Sequence, residues 1–160
     1  MPDPVTIKDL LAGQVRRSRK RLAQPALEPA SSYCTGEVLF LAGMTLPAIN
    51  EWKSWHWTKY SREKARWSDA VLLLCRPLVP VEVGRQCAVE VEIRFADRRR
   101  HDPDNYTPKF LLDPLVAGGK LPDDDSRVIA LLSLRCTPGS GAPGTLVRLL
   151  PAPELRPSLE

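Results

Sequence analysis

An α+β domain, with helices packed on one face of a mixed sheet in the order β-α-β-α-β-β, is the fold class this 160-residue sequence predicts. Three observations lead there. Residues 87–95 alternate cleanly, with Val89, Val91, Ile93 and Phe95 on one side and Glu90, Glu92 and Arg94 on the other; that period of two marks a half-buried strand. Residues 61–76 place Trp67, Ala70, Val71 and Leu74 at helical spacing behind Ser61, a residue suited to cap a helix. Residues 127–136 and 145–150 are two further apolar segments, and Pro138, Gly139, Ser140, Gly141 and Gly144 between them predict a hairpin.

The remaining elements follow in order. Residues 37–46 are apolar and strand-like, and residues 52–60 read as an aromatic, basic loop. Thr107 and Pro108 supply a cap and a first position for a second helix. Residues 1–35 form a basic N-terminal extension. In it residues 7–22 can make a helix with Leu10, Leu11, Val15 and Leu22 on one side, and residues 24–32 are a Pro/Ala/Ser linker. The folded domain is expected over residues 36–150, with residues 151–160 a proline-rich, loose tail.

Composition bounds the function. An apolar share of 43% permits one modest core. The net charge of +4 is mild and fits a nucleic-acid partner without requiring one. Its distribution says more, because basic residues gather at 16–21 and 98–100. Cys34, Cys75, Cys87 and Cys136 are far apart, with no C-x-x-C pair, which argues against zinc. No export signal or apolar run long enough to cross a bilayer is visible, so reduced thiols, a cytoplasmic setting and no membrane partner are expected.

Chemistry concentrates in residues 98–128. Arg98, Arg99 and Arg100 lead through His101 into Asp102, Pro103, Asp104 and Asn105; Lys109 follows, and then Asp123, Asp124 and Asp125. Carboxylates this close repel one another. A divalent cation offsets that cost, since Mg²⁺ takes oxygens from one or two carboxylates and completes its shell with water and substrate phosphate. Pro103 favours an extended Asp102, so Asp102 and Asp104 are expected to point the same way and share one cation, with Asp124 or Asp125 completing the set. Arginines beside such a site suit a phosphate-rich substrate. An acidic, solvated turn is the bland alternative. A calcium loop fits poorly, because Thr107 stands where an EF-hand needs glycine.

These residues carry a family likeness. Asp102-Pro103-Asp104-Asn105, Lys109, Leu112-Asp113-Pro114-Leu115, Gly118-Gly119 and Asp124-Asp125-Ser126-Arg127-Val128 stand in the order that characterises the RusA family of Holliday junction resolvases, which the chain resembles over roughly residues 39–150. Upstream, Leu46-Pro47-Ala48-Ile49-Asn50 looks like that family's Pro-Pro-Ser-x-Asn segment. The resemblance implies a Mg²⁺-dependent endonuclease, with Mn²⁺ a possible substitute, that nicks four-way or otherwise branched DNA as a homodimer. It implies catalytic roles for Asp102, Asp104 and Asp125 with Lys109 assisting, and Asp124 competes with Asp125 for the third place. Pro108 adds a residue before Lys109, Pro114 replaces a usual alanine, and residues 1–35 have no counterpart in the family pattern.

Other roles follow from residue chemistry. Asp113 is placed to orient Lys109 across one helical turn or to cap a kinked helix end. Asn105 is expected to tie down the acidic loop rather than to touch substrate. Arg98, Arg99 and Arg100 would anchor phosphates. Asn50, Lys53, Trp55 and Lys59 belong to a segment, with Trp52 and Trp57, whose rings and charges suit unpaired bases. A junction-binding protein without efficient cleavage and a flap or branched-DNA nuclease are the competing functions.

Overall fold

The computed structural model describes residues 31–152. The expected helix over residues 7–22 and the basic cluster at 16–21 lie outside them. Five strands form one mixed sheet in the order β1-β2-β5-β3-β4. The strands are β1 (Tyr33–Cys34), β2 (Val38–Ala42), β3 (Cys87–Arg94), β4 (Ile129–Thr137) and β5 (Gly144–Pro151). Among the described residues three α-helices join them: α1 (Ile49–Trp52), α2 (Trp57–Leu74) and α3 (Lys109–Ala117), with a 3₁₀ turn at Pro103–Asn105.

The α+β class is observed, with differences of detail that each have a cause. Tyr33 and Cys34 pair with Phe40 and Leu39, so the sheet begins before residue 36. Residues 52–60 are not a loop, because α1 ends at Trp52 and α2 starts at Trp57. The cap of α2 is His56 rather than Ser61, and its side chain accepts from the Thr58 amide. A histidine acceptor does the work usually assigned to Ser, Thr, Asp or Asn, so the cap falls five residues early. Pro114 sits inside α3 without ending it.

The largest correction is topological. Residues 129–137 and 144–151 do not form a hairpin, because β3 lies between β4 and β5, parallel to the first and antiparallel to the second. The glycine-rich connection crosses the end of β3 instead, where the Gly139 and Ser140 amides donate to the Asp97 and Phe95 carbonyls. Turn residues at 138–144 serve a crossover as well as a hairpin, and nothing local distinguishes the two.

Register assigns the faces. Leu39 and Leu41 on β2, Val89, Val91 and Ile93 on β3, and Val147 on β5 share one core with Trp67 and Val71 of α2 and Leu111 and Leu115 of α3. Both larger helices therefore cover that face. Their contacts advance together, with Tyr60 beside Phe110 at 5.5 Å between ring centroids, Lys64 bonded to Asp113 at 2.9 Å, and Cys75 against Gly118. So α2 and α3 run parallel. Since β2, β3 and β4 also share one direction, both helices start at the end of the sheet where those strands finish.

The other face holds Glu92, 8% exposed, between Arg94, Arg135 and Thr137. Burial alone would raise its pKa, but hydrogen bonds from Arg94, Thr137 and Arg135 outweigh that and bring it from 4.5 to about 2. A carboxylate with a depressed folded pKa stabilises fully above its unfolded value and loses that contribution as pH falls through the folded one. Acid is therefore expected to remove about 3 kcal/mol between pH 5 and pH 2 through this group. Urea unfolding of wild type and Glu92→Gln across that range checks it; parallel pH profiles for the two proteins would contradict it.

Candidate functional site

The acidic loop leaves β3 and is fixed at both ends. His101 packs flat on Phe95, with ring centroids 3.5 Å apart and an interplanar angle of 4°. Its Nε2 lies 2.9 Å from an Asp97 carboxylate oxygen and its Nδ1 3.0 Å from the Tyr106 hydroxyl. The bond from His101, with the Arg99 amide, holds the Asp97 carboxyl below the usual carboxylate range. His101 is thus the inner clamp of the loop. On the far side, Ala48 and Tyr106 form an isolated antiparallel bridge, and the Asn50 amide donates to the Asn105 side-chain oxygen at 3.3 Å. This bond joins Asn105 to the segment that the family likeness also singled out.

Between these anchors Asp102 is extended and Pro103–Asn105 turn as 3₁₀. The two carboxylates are therefore not carried on one extended strand, as expected from Pro103. A proline with φ near −65° opens a helical turn as readily as it extends the residue before it, and here it does both. Asp102 and Asp104 are exposed, and neither has an ion-pair partner among the described residues.

Asp123, Asp124 and Asp125 lie elsewhere. The Cys87 amide, opening β3, donates to the Val128 carbonyl, and the Gln86 side chain donates to the Ser126 carbonyl. The triple aspartate therefore stands where β3 and β4 begin, and Asp102 and Asp104 stand beyond the end of β3. Eight strand residues span roughly 25 Å. Among the described residues no three His, Cys, Asp or Glu side chains come together to hold a metal ion. The expected convergence of Asp102, Asp104 and either Asp124 or Asp125 is not found within one chain. Parallel β3 and β4 force this, because the helix between them carries the chain back to the opposite end. Asp125 instead receives the Arg127 guanidinium, Nε at 2.6 Å, which holds its carboxyl below the ordinary value.

Lys109 is the first residue of α3 and is exposed, at the same end as Asp102 and Asp104. Asp113 does not serve it, since Asp113 bonds Lys64 of α2 at 2.9 Å and raises the Lys64 pKa through that bond. Arg98, Arg99 and Arg100 are all exposed beside the loop, with no carboxylate partner among the described residues. Lys53 follows α1, and Lys59 lies in the first turn of α2 with its ammonium 4.2 Å from the Trp55 ring centroid.

One further carboxylate belongs to this end. Tyr106 has its pKa raised by burial first, and then by Cys136, Asp97, Glu51 and Asp102. Glu51 of α1 therefore stands within electrostatic reach of the same hydroxyl as Asp102. Sequence spacing gives no sign of it, because the bridge between Ala48 and Tyr106 joins segments more than fifty residues apart.

Asp102 and Asp104 are residues at this end that could offer oxygens to a cation. Two exposed carboxylates two residues apart could serve a hard ion that takes most of its shell from water and phosphate, as Mg²⁺ does; they do not make an all-protein cage. The helix starts of α2 and α3, with Lys53, Lys59, Lys109 and the three arginines, bring positive charge to the same end. No protein-family model matches this chain, and no curated protein matches it.

Proposed function

We propose that this protein is a Mg²⁺-dependent endodeoxyribonuclease acting on branched DNA, with four-way junctions as its preferred substrate and the cytoplasm as its setting. One observation carries the reading. The exposed Asp102 and Asp104 share a doubly anchored loop with Arg98, Arg99 and Arg100, and Lys109 opens the helix that follows, at the end of the described residues where both larger helices start. That arrangement places acidic oxygens beside a phosphate-binding surface, which phosphodiester hydrolysis needs. The order of motifs shared with the RusA family supports the same conclusion.

Asp102 and Asp104 would hold the metal, which when bound supplies Lewis-acid polarisation of a phosphoryl oxygen and an acidified water. Lys109 donates charge to the scissile phosphate or to the leaving oxygen. Arg98, Arg99 and Arg100 bind flanking phosphates, so affinity falls with added salt. Asn105 and His101 keep the loop from collapsing onto neighbouring cations. Asp124 and Asp125, just before the start of β4, have no part in this site within one protomer. A homodimer suits a junction that is nearly two-fold symmetric and needs two matched nicks.

A second reading is a branched-DNA-binding protein without efficient cleavage. Incubating the full chain with a four-way junction, a flap and a plain duplex at fixed salt in Mg²⁺ separates these functions. Nicking of the junction above both others is expected. Preferred nicking of the flap would make it a flap nuclease, and tight junction binding without nicks would leave the binding protein.

A further inference from the structure

We infer that Trp57 is the residue that recognises branched DNA, by stacking its indole on an unpaired base at the branch point; this rests on the DNA-directed reading above. The four tryptophans are not equivalent. Trp67 is 1% exposed in the core. Trp52 packs against Tyr60 and the edge of Phe110, with ring centroids 5.9 and 6.3 Å away, and its indole nitrogen is buried. Trp55 lies against the core with the Lys59 ammonium over its ring. Trp57 alone keeps an open face, at 70% exposed.

Its backbone belongs to a capped helix start, and its ring neighbours the His56 imidazole at 5.8 Å between centroids. Trp57 is the first residue of α2, a helix of 18 residues whose start is fixed by the His56 side chain bonding Thr58. Tyr60, one turn on, packs against Phe110 beside Lys109, so the indole belongs to the same end as the acidic loop. Lys53 and Lys59 flank it in sequence. A large apolar ring left in water loses solvation free energy until something covers it. An open indole at the end of the molecule that also carries Lys53, Lys59 and Lys109 is complementary to a nucleobase with its backbone and poorly complementary to an apolar protein face. Paired duplex bases offer no free face, whereas a branch point does, so the contact selects branched over linear DNA.

The test uses the full chain, a four-way junction carrying 2-aminopurine at the branch point, and a duplex of the same sequence, all without divalent metal so that cleavage plays no part. Wild type is expected to change the 2-aminopurine fluorescence on binding. Trp57→Ala is expected to weaken junction binding about tenfold or more and duplex binding less than twofold, and to abolish the fluorescence change; Trp57→Phe should restore most of both. Equal losses on junction and duplex, or no loss on either, overturn the inference while leaving the DNA reading intact. A Trp57→Ala chain whose oligomeric mass by light scattering drops below wild type also overturns it, and assigns the indole to a protein interface. Wild type that binds neither DNA overturns both, and is told apart because the variant is then not needed to see it.

Discussion

Asp104→Asn is expected to reduce Mg²⁺-dependent nicking of a four-way junction by about a hundredfold or more while junction binding persists. Loss of a residue that merely supports a metal ligand costs about 10- to 100-fold, and Asp104 would supply a ligand oxygen itself, in a site with few protein donors. Binding survives because affinity for DNA is carried by cation–phosphate contacts, and removing a carboxylate near phosphate lowers repulsion. The fold should be unaffected, since Asp104 is exposed and makes no ion pair among the described residues. Nicking rates, gel-shift affinities and thermal melts of the two proteins, side by side, check all three statements. A variant that nicks at the wild-type rate would remove Asp104 from the site.

Gly144→Ala is expected to cost several kcal/mol of stability, about 3–5 in order of magnitude, among the largest effects of a single methyl group. Gly144 opens β5 at a φ of 153°. A Cβ there would overlap the Leu41 carbonyl oxygen on the paired strand and meet the Phe40 ring at 2.9 Å. Both neighbours are buried in the sheet, so neither can withdraw without breaking the β2–β5 ladder. Gly43 is a useful contrast: its φ is 69° but nothing lies within 4 Å of an added Cβ, so Gly43→Ala should cost about 1–2 kcal/mol of backbone strain only. Urea unfolding of both variants measures the difference. A Gly144→Ala protein as stable as Gly43→Ala would show that the β2–β5 register is wrong.

Legibility of the fold followed the strength of local pattern. The period of two in residues 87–95 marks β3, and the spacing of Trp67 and Val71 marks α2, because each pattern is imposed by one buried face. What local pattern does not carry is pairing across the chain. The turn residues at 138–144 read equally as hairpin or crossover, and only the insertion of β3 between β4 and β5 decides. The site divides the same way. Asp102, Asp104, Asn105 and Lys109 are local, and the structure places them at one end. A third ligand from Asp124 or Asp125 depends on which end of the parallel strand pair they occupy, and the topology puts them at the end opposite Asp102 and Asp104. Glu51, His101 and the open face of Trp57 are visible only once Ala48 meets Tyr106 and the other tryptophans are seen to be covered.

The most direct test of the central claim is strand scission in a synthetic four-way junction by the purified full chain, with Mg²⁺ and with the metal chelated. Paired nicks near the branch point that require the metal are predicted. Intact junction strands in Mg²⁺ and Mn²⁺ alike, at protein concentrations that bind all of the DNA, would contradict the assignment of Asp102 and Asp104 to a hydrolytic site.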